Sequence, residues 1–150
     1  NPGYEFYGAE QRRELGQFLY SAKDGKLLST EDLGSITLNP VYWLDGPQKV
    51  YNVFSYRGNT TVLQRYGDPA PVATLEGRII AIADVLGDWG EELILTSDGE
   101  LRIATTTVPA TSRHVHLMQD PLYRNDVAHA SMGYFYPPNT SYALFPEAFR

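Results

Sequence analysis

Residues 79–95 read IIAIADVLGDWGEELIL. Two apolar runs, 79–83 and 93–95, flank a polar loop. Short Ile- and Leu-rich runs bounded by turn residues read as buried strands. The loop carries Asp84, Asp88 and Glu92 at its first, fifth and ninth positions, with Gly87 and Gly90 between them. Carboxylates at that spacing, in a turn that glycine lets bend, suit a hard oxygen-loving cation. Leu86 stands where a further Asp or Asn is usual, so a backbone carbonyl, that of Gly90, and water complete the shell. The expectation is strand, calcium loop, strand, with the ion pinning the loop. The alternative is an exposed acidic turn without an ion. Glu91 stands beside Glu92, and strand alternation sends the two to opposite faces.

Outward from this loop, turn signals recur at short spacing: Pro2-Gly3, Asp24-Gly25, Asp45-Gly46-Pro47, Gly58-Asn59, Gly67-Asp68-Pro69 and Asp98-Gly99. Short apolar or alternating runs lie between them at 5–9, 18–22, 41–44, 49–56, 61–66, 92–96 and 101–106. That is the pattern of hairpin-connected antiparallel sheet. Residues 18–28 (FLYSAKDGKLL), 50–63 (VYNVFSYRGNTTVL) and 93–103 (LILTSDGELRI) read as three similar hairpins. Repetition of this kind predicts four-stranded sheets, the unit of a β-propeller. A blade takes roughly 40–50 residues and a ring needs at least about four. The 150 residues therefore supply about three blades. The fold class expected is all-β, with residues 1–150 a segment of a larger propeller that is incomplete alone. Asp120-Pro121 is an N-cap followed by proline, opening a short helix over 122–130. Residues 10–14 (EQRRE) read as polar loop, and the chain from Tyr134 onward, with three prolines, as irregular coil.

A net charge of -6 argues against a phosphate-backbone binder, which needs a basic face. No apolar run approaches the roughly 18–20 residues of a membrane-spanning helix. With no cysteine, disulfide and thiolate-metal schemes fall away. The first residue is Asn1, without a basic and apolar leader, so a processed chain or a piece of a longer one is expected. Eleven tyrosines could stack on sugar rings or simply pack strands.

His114 and His116 alternate around Val115 and share a face if that segment is extended. Residues 118–136 gather Asp120, Tyr123, Arg124, Asp126, His129, Tyr134 and Tyr136. Arginine with tyrosine suits an acidic sugar: Arg grips a carboxylate at two points, and Tyr stacks or moves a proton. The competing reading gives Asp120 to a cap, Arg124 to an acid and the tyrosines to packing. No nucleophilic-serine elbow, phosphate loop or HExxH zinc motif occurs.

Several of these segments together resemble polysaccharide lyase family 11, the rhamnogalacturonan lyases. The runs are ADVLGDWGEELIL (83–95), LRIATTTVPATSR (101–113) and LMQDPLYRNDVAHASMGYFYPP (117–138), with VYWLDG (41–46) and LYSAKDGKLL (19–28) upstream. The resemblance is to the C-terminal third of those enzymes. It implies an eight-bladed, calcium-bearing β-propeller in a secreted or periplasmic protein, completed by the remaining blades of the same polypeptide. It implies an acidic polysaccharide as partner and β-elimination as chemistry. A base removes the proton beside the galacturonate carboxylate, while Ca2+ and cationic side chains stabilise the developing charge. Carried onto this chain, the metal ligands are Asp84, Asp88 and Glu92. The expected catalytic residues are Tyr134 and His129, and the substrate-binding ones Arg124, Arg78 and Tyr136.

The chain also departs from the family pattern. Before the loop strand the family carries an Asn-Gly-Thr-Lys stretch, and here the residues are ATLEGRII (73–80), with Arg78 the nearest cation. Gln119 replaces a His, and His129 replaces a Trp. These changes leave open a lyase acting on another uronate polymer such as ulvan, or a noncatalytic propeller that binds glycan or protein.

Overall fold

The computed structural model describes residues 5–9, 16–33, 38–55, 57–111, 113–133 and 136–145. Among them ten strands form three antiparallel sheets, followed by a 3-10 turn at Leu117–Gln119 and one α-helix. The chain divides into two compact units, residues 1–38 with 145–150, and residues 39–144.

The first unit holds β1 (Glu5–Ala9), β2 (Gln17–Ser21) and β3 (Leu27–Ser29) in that spatial order. Phe6 lies opposite Tyr20 in the ladder and their rings stack at 5.0 Å, a cross-strand aromatic pair. Gly25, at φ 69°, closes the β2–β3 hairpin as its Asp-Gly signal predicts. Buried Gln17 ties the sheet to the following loop: its amide donates to Asp32 Oδ1 at 2.6 Å and its carbonyl accepts from Leu33 N.

The second unit stacks two sheets. One has the order β4 (Pro40–Val41), β5 (Val50–Ser55), β6 (Thr60–Arg65), β7 (Asp68–Glu76). The other has β8 (Arg78–Ala83), β9 (Glu92–Ser97) and β10 (Glu100–Ala104), with β9 in the middle. Their facing side chains make one core of Val41, Trp43, Val50, Leu63, Ile79, Ile82, Leu93 and Leu95. Each fully buried aliphatic side chain there contributes about 1.5–3 kcal/mol of transfer free energy. The outer face of β8–β10 is apolar too, with Leu101 67% and Ile103 61% exposed.

One glycine joins the two sheets. Gly77 has φ 110°, and a Cβ there would sit 2.9 Å from the Thr96 carbonyl oxygen. Its N–H donates to the Asn59 carbonyl at 2.6 Å, and its own carbonyl accepts from the Thr61 hydroxyl at 2.7 Å. The corner between β7 and β8 is thus tied on both sides.

The three hairpins expected from sequence are present. Asp98 and Gly99, both at positive φ, close β9–β10, as a right-handed sheet twist requires. Only one of the three sheets has four strands among the described residues, so the four-stranded repeat is not uniform. β7 is a strand that the Gly67-Asp68-Pro69 turn signal does not predict. Pro69 and Pro71 interrupt it and most of its residues are exposed, which is how an edge strand reads. Helix α1 (Pro121–Ser131) starts where the Asp-Pro signal put it, and Asp120 caps it by accepting from Leu122 N. The polar stretch 10–14 lies outside the described residues.

Candidate functional site

The loop after β8 is built around Asp84, which is fully buried. Its Oδ1 accepts the Gly87 N–H at 2.8 Å, and its Oδ2 accepts the Leu117 N–H at 2.8 Å and meets His116 Nδ1 at 2.7 Å. Glu92 closes the loop from the other side. Its Oε2 accepts from Val85 N and Leu86 N at 2.9 and 3.1 Å, and its Oε1 accepts from the Thr105 hydroxyl. Exposed Asp88 accepts, among the described residues, from Gly90 N within its own turn. Among the described residues no three acidic, His or Cys side chains gather as the expected calcium set of Asp84, Asp88 and Glu92 would require. The oxygens of Asp84 and Glu92 already face N–H and O–H donors, whose positive ends would point at a cation in the same place. Asp84, Asp88 and Glu92 as folded here do not fit an ion, and the loop is pinned by hydrogen bonds instead.

The bend also differs in detail from expectation. Gly87 adopts positive φ, 79°, but its partner in the turn is Trp89 at 68° rather than Gly90. Burial holds the indole in this unusual backbone state. Trp89 is 4% exposed and meets the rings of His114, at 4.7 Å, and Tyr42 edge-on. His114 and His116 consequently serve different partners, an indole and a carboxylate, rather than one shared face.

Behind the loop runs a second buried chain. Tyr123, from α1, is fully buried; its hydroxyl accepts from Asp84 N at 3.0 Å and donates to Glu91 Oε1 at 2.9 Å. Glu91 Oε2 accepts from Tyr42 N at 2.7 Å. Burial pushes the Glu91 carboxyl above the usual range, opposed by the charge of Lys49 and by these two donors. The same burial lowers Lys49, whose ammonium lies 4.1 Å from the centre of the Tyr42 ring. Tyr123 is raised by burial and by Glu91. Glu91 and Glu92 do part to different neighbourhoods, as alternation predicts. Sequence reasoning missed the roles of Tyr42, Lys49, Glu91 and Tyr123. The one available signal was an acid, Glu91, set at the head of an apolar strand.

Arg78 begins β8 and Asp84 follows its end, so the two stand roughly 20 Å apart by strand length. Arg78 is exposed and lines a cleft of about 670 Å³ with Phe54, Asn59, Glu76, Ser97 and Asp98. A hydrogen-bond chain stiffens this cleft: Asn59 Nδ2 donates to Ser97 Oγ at 3.0 Å, and Ser97 Oγ donates to Glu76 Oε1 at 3.0 Å. Arg102 binds the other oxygen of Glu76 at 2.9 Å, and it holds the Glu76 carboxyl below its ordinary range with help from Ser97. Arg102 is thereby occupied, whereas Arg78 forms no ion pair with a described residue. A guanidinium so placed can take a carboxylate at two points.

A second cleft, of about 310 Å³, lies against α1 and is lined by Asp126, His129, Tyr136, Pro137 and Asn139. It brings His129 and Tyr136 together, as the sequence grouping implied. Arg124 is not with them. Its Nη1 donates to the Met118 carbonyl at 3.2 Å, so it braces the turn before the helix and lines neither cleft. Asp120 is structural: besides capping α1 it accepts from Ser141 N and Oγ at 2.6 and 2.9 Å. Burial alone would raise its carboxyl, but the Ser141 and Leu122 donors hold it below the ordinary value. Tyr134 lies outside the described residues.

Comparison with known proteins matches residues 4–147 to the family model described as rhamnogalacturonan lyase family 11, C-terminal domain. Rhamnogalacturonan endolyase YesW of Bacillus subtilis (strain 168) is 45% identical over 64 residues, 41% of this chain and 10% of that protein. Rhamnogalacturonan exolyase YesX of the same organism is 38% identical over 71 residues, 46% of this chain and 12% of that protein. The crystal structure of rhamnogalacturonan lyase YesW covers 95% of this chain with a TM-score of 0.62 at 27% identity, using 27% of its own length. That of exotype rhamnogalacturonan lyase YesX covers 96% with a TM-score of 0.65 at 21% identity, using 29% of its length, and speaks for the fold alone. The chain thus spans less than a third of each relative it matches. With nearly every residue inside the family model and the same course of backbone, the chain belongs to rhamnogalacturonan lyase family 11, as the C-terminal domain of that family.

Proposed function

We propose that this chain is the C-terminal part of a secreted polysaccharide lyase that cleaves a rhamnose- and uronate-containing polymer of the rhamnogalacturonan I kind by β-elimination. The family match over residues 4–147 carries the reading. Arg78 is given the uronate carboxylate: it is a guanidinium in an open cleft with no ion pair to a described residue, and neutralising that carboxylate acidifies the neighbouring ring proton. Arg78 is a cation and not a base, because a guanidinium keeps its protons. The base is assigned to Tyr134, with His129 and Tyr136 contacting a neighbouring stretch of the polymer. The remaining blades belong to the same proposal, and the apolar outer face of β8–β10, with Leu101 and Ile103 exposed, supports further polypeptide packing there. Calcium enters as an ion of the whole lyase, and no step is routed through it.

The test is to incubate the full-length protein with rhamnogalacturonan I, ulvan and other uronate polymers and follow ultraviolet absorbance of the unsaturated product. Absorbance rising on rhamnogalacturonan I, and falling strongly with Arg78→Ala, is the expected result. No product on any uronate polymer would sink the lyase reading. A second reading, a noncatalytic glycan-binding propeller, is favoured by Arg78 being the nearest cation to where the family pattern carries Lys. It requires polymer binding without product and without sensitivity to Tyr134→Phe.

A further inference from the structure

We infer that the cleft between α1 and residues 136–139 is a subsite for a neutral sugar residue, separate from the Arg78 cleft that takes the acidic one. The choice of sugar rests on the lyase reading; the charge sorting rests on the side chains. The cleft has about 310 Å³, the lower end of the range for small-ligand sites. One wall is Tyr136, 62% exposed and without a ring or hydrogen-bond contact to any described residue. A free aromatic face beside Pro137 offers the apolar platform on which the C–H face or methyl group of a pyranose packs. The other wall is polar. Asp126 Oδ2 accepts the Asn139 N–H at 3.0 Å, which orients the carboxylate and leaves Oδ1 for a ligand hydroxyl. His129 donates or accepts from the helix side, and Asn139, whose Nδ2 donates to the Pro137 carbonyl at 3.3 Å, offers its side-chain carbonyl.

The described lining holds one carboxylate and no Lys or Arg. A uronate placed here would set its carboxylate against Asp126 with no cation to offset the repulsion. A neutral hexose or 6-deoxyhexose meets no such penalty, and its hydroxyls match the acceptor and donors present. The two clefts thereby differ in the charge they accept: Arg78 suits an acidic sugar, and Tyr136 with Asp126 a neutral one. This arrangement makes His129 a sugar-contacting residue.

Saturation-transfer NMR on the full-length protein tests this with methyl α-rhamnopyranoside and galacturonate as separate probes. Tyr136→Ala should weaken rhamnoside binding roughly tenfold, the loss of one aromatic platform, and leave galacturonate binding unchanged. Arg78→Ala should do the reverse. Asp126→Asn should let galacturonate compete with the rhamnoside, which a merely structural role for Asp126 would not produce. The inference is overturned if the rhamnoside is not bound, if Tyr136→Ala binds it as wild type does, or if galacturonate already competes with it in wild type. Unsaturated product without rhamnoside binding would reject this subsite and leave the lyase reading standing. Tyr136-dependent rhamnoside binding without product would do the opposite.

Discussion

Tyr123→Phe removes one oxygen and strands two buried groups. The hydroxyl accepts from Asp84 N at 3.0 Å and donates to Glu91 Oε1 at 2.9 Å, and Tyr123, Asp84 and Glu91 are each essentially inaccessible to solvent. Phenylalanine fills nearly the same volume, so packing changes little and the loss is polar. Each stranded group costs about 1–3 kcal/mol, the carboxylate toward the upper end, for a total of roughly 2–5 kcal/mol. At about 2–4 °C per kcal/mol for a domain of this size class, the melting transition should fall by roughly 4–20 °C. The assay is a thermal melt of the full-length protein by near-ultraviolet circular dichroism, for wild type, Tyr123→Phe, Glu91→Gln and the double variant. The two residues share a hydrogen bond, so the double variant should lose less than the sum, with coupling above about 0.5 kcal/mol. A Tyr123→Phe melt within a degree of wild type, or strict additivity, would refute the claim that this hydroxyl joins helix, loop and strand.

Glu91 also sets a pH dependence. Burial raises its folded-state carboxyl above the ordinary 4.5, so the folded protein holds this proton more tightly than the unfolded chain does. The stabilisation is complete below the unfolded value and is lost as pH rises through the folded one. Wild type should therefore lose stability relative to Glu91→Gln as pH is raised from 4.5, and parallel curves of melting temperature against pH would count against it. Asp84→Asn should lower the melt by a similar amount with and without a calcium chelator, because the carboxylate is held by N–H donors and His116; a decrement that disappears in chelator would restore the ion to the loop. Gly77→Ala should cost about 1–3 kcal/mol from its left-handed backbone and the contact with the Thr96 carbonyl, read as a lower denaturant midpoint at unchanged slope.

Much of the architecture was legible from short-range chemistry. Asp-Gly pairs fixed two hairpins because those residues accept the positive φ that a tight turn demands. Asp120-Pro121 marked the helix start to the residue, since a capping carboxylate and a fixed proline φ both act locally. β7 escaped because two prolines mask an edge strand, where a missing N–H costs little. The calcium loop shows where such reasoning stops. Spacing alone gives Asp84, Asp88 and Glu92 a shared purpose, but what a carboxylate binds depends on which donors reach it first. The donors to Asp84 come from Gly87 nearby and from His116 and Leu117, some thirty residues on.

The candidate site divides the same way. His129 and Tyr136 sit close in sequence on either side of the end of a helix, and their meeting in one cleft follows from that. Arg78 and Arg124 looked equivalent as free cations. Only the folded chain separates them, since Arg124 turns back onto the Met118 carbonyl while Arg78 faces an open cleft built from two sheets. Strand period, turn type, helix cap and family membership depend on neighbours along the chain, and a single sequence carries them. Whether a buried acid meets an ion, a hydroxyl or an N–H depends on partners tens of residues away, and only the packing of β8, β9 and α1 against one another decided that.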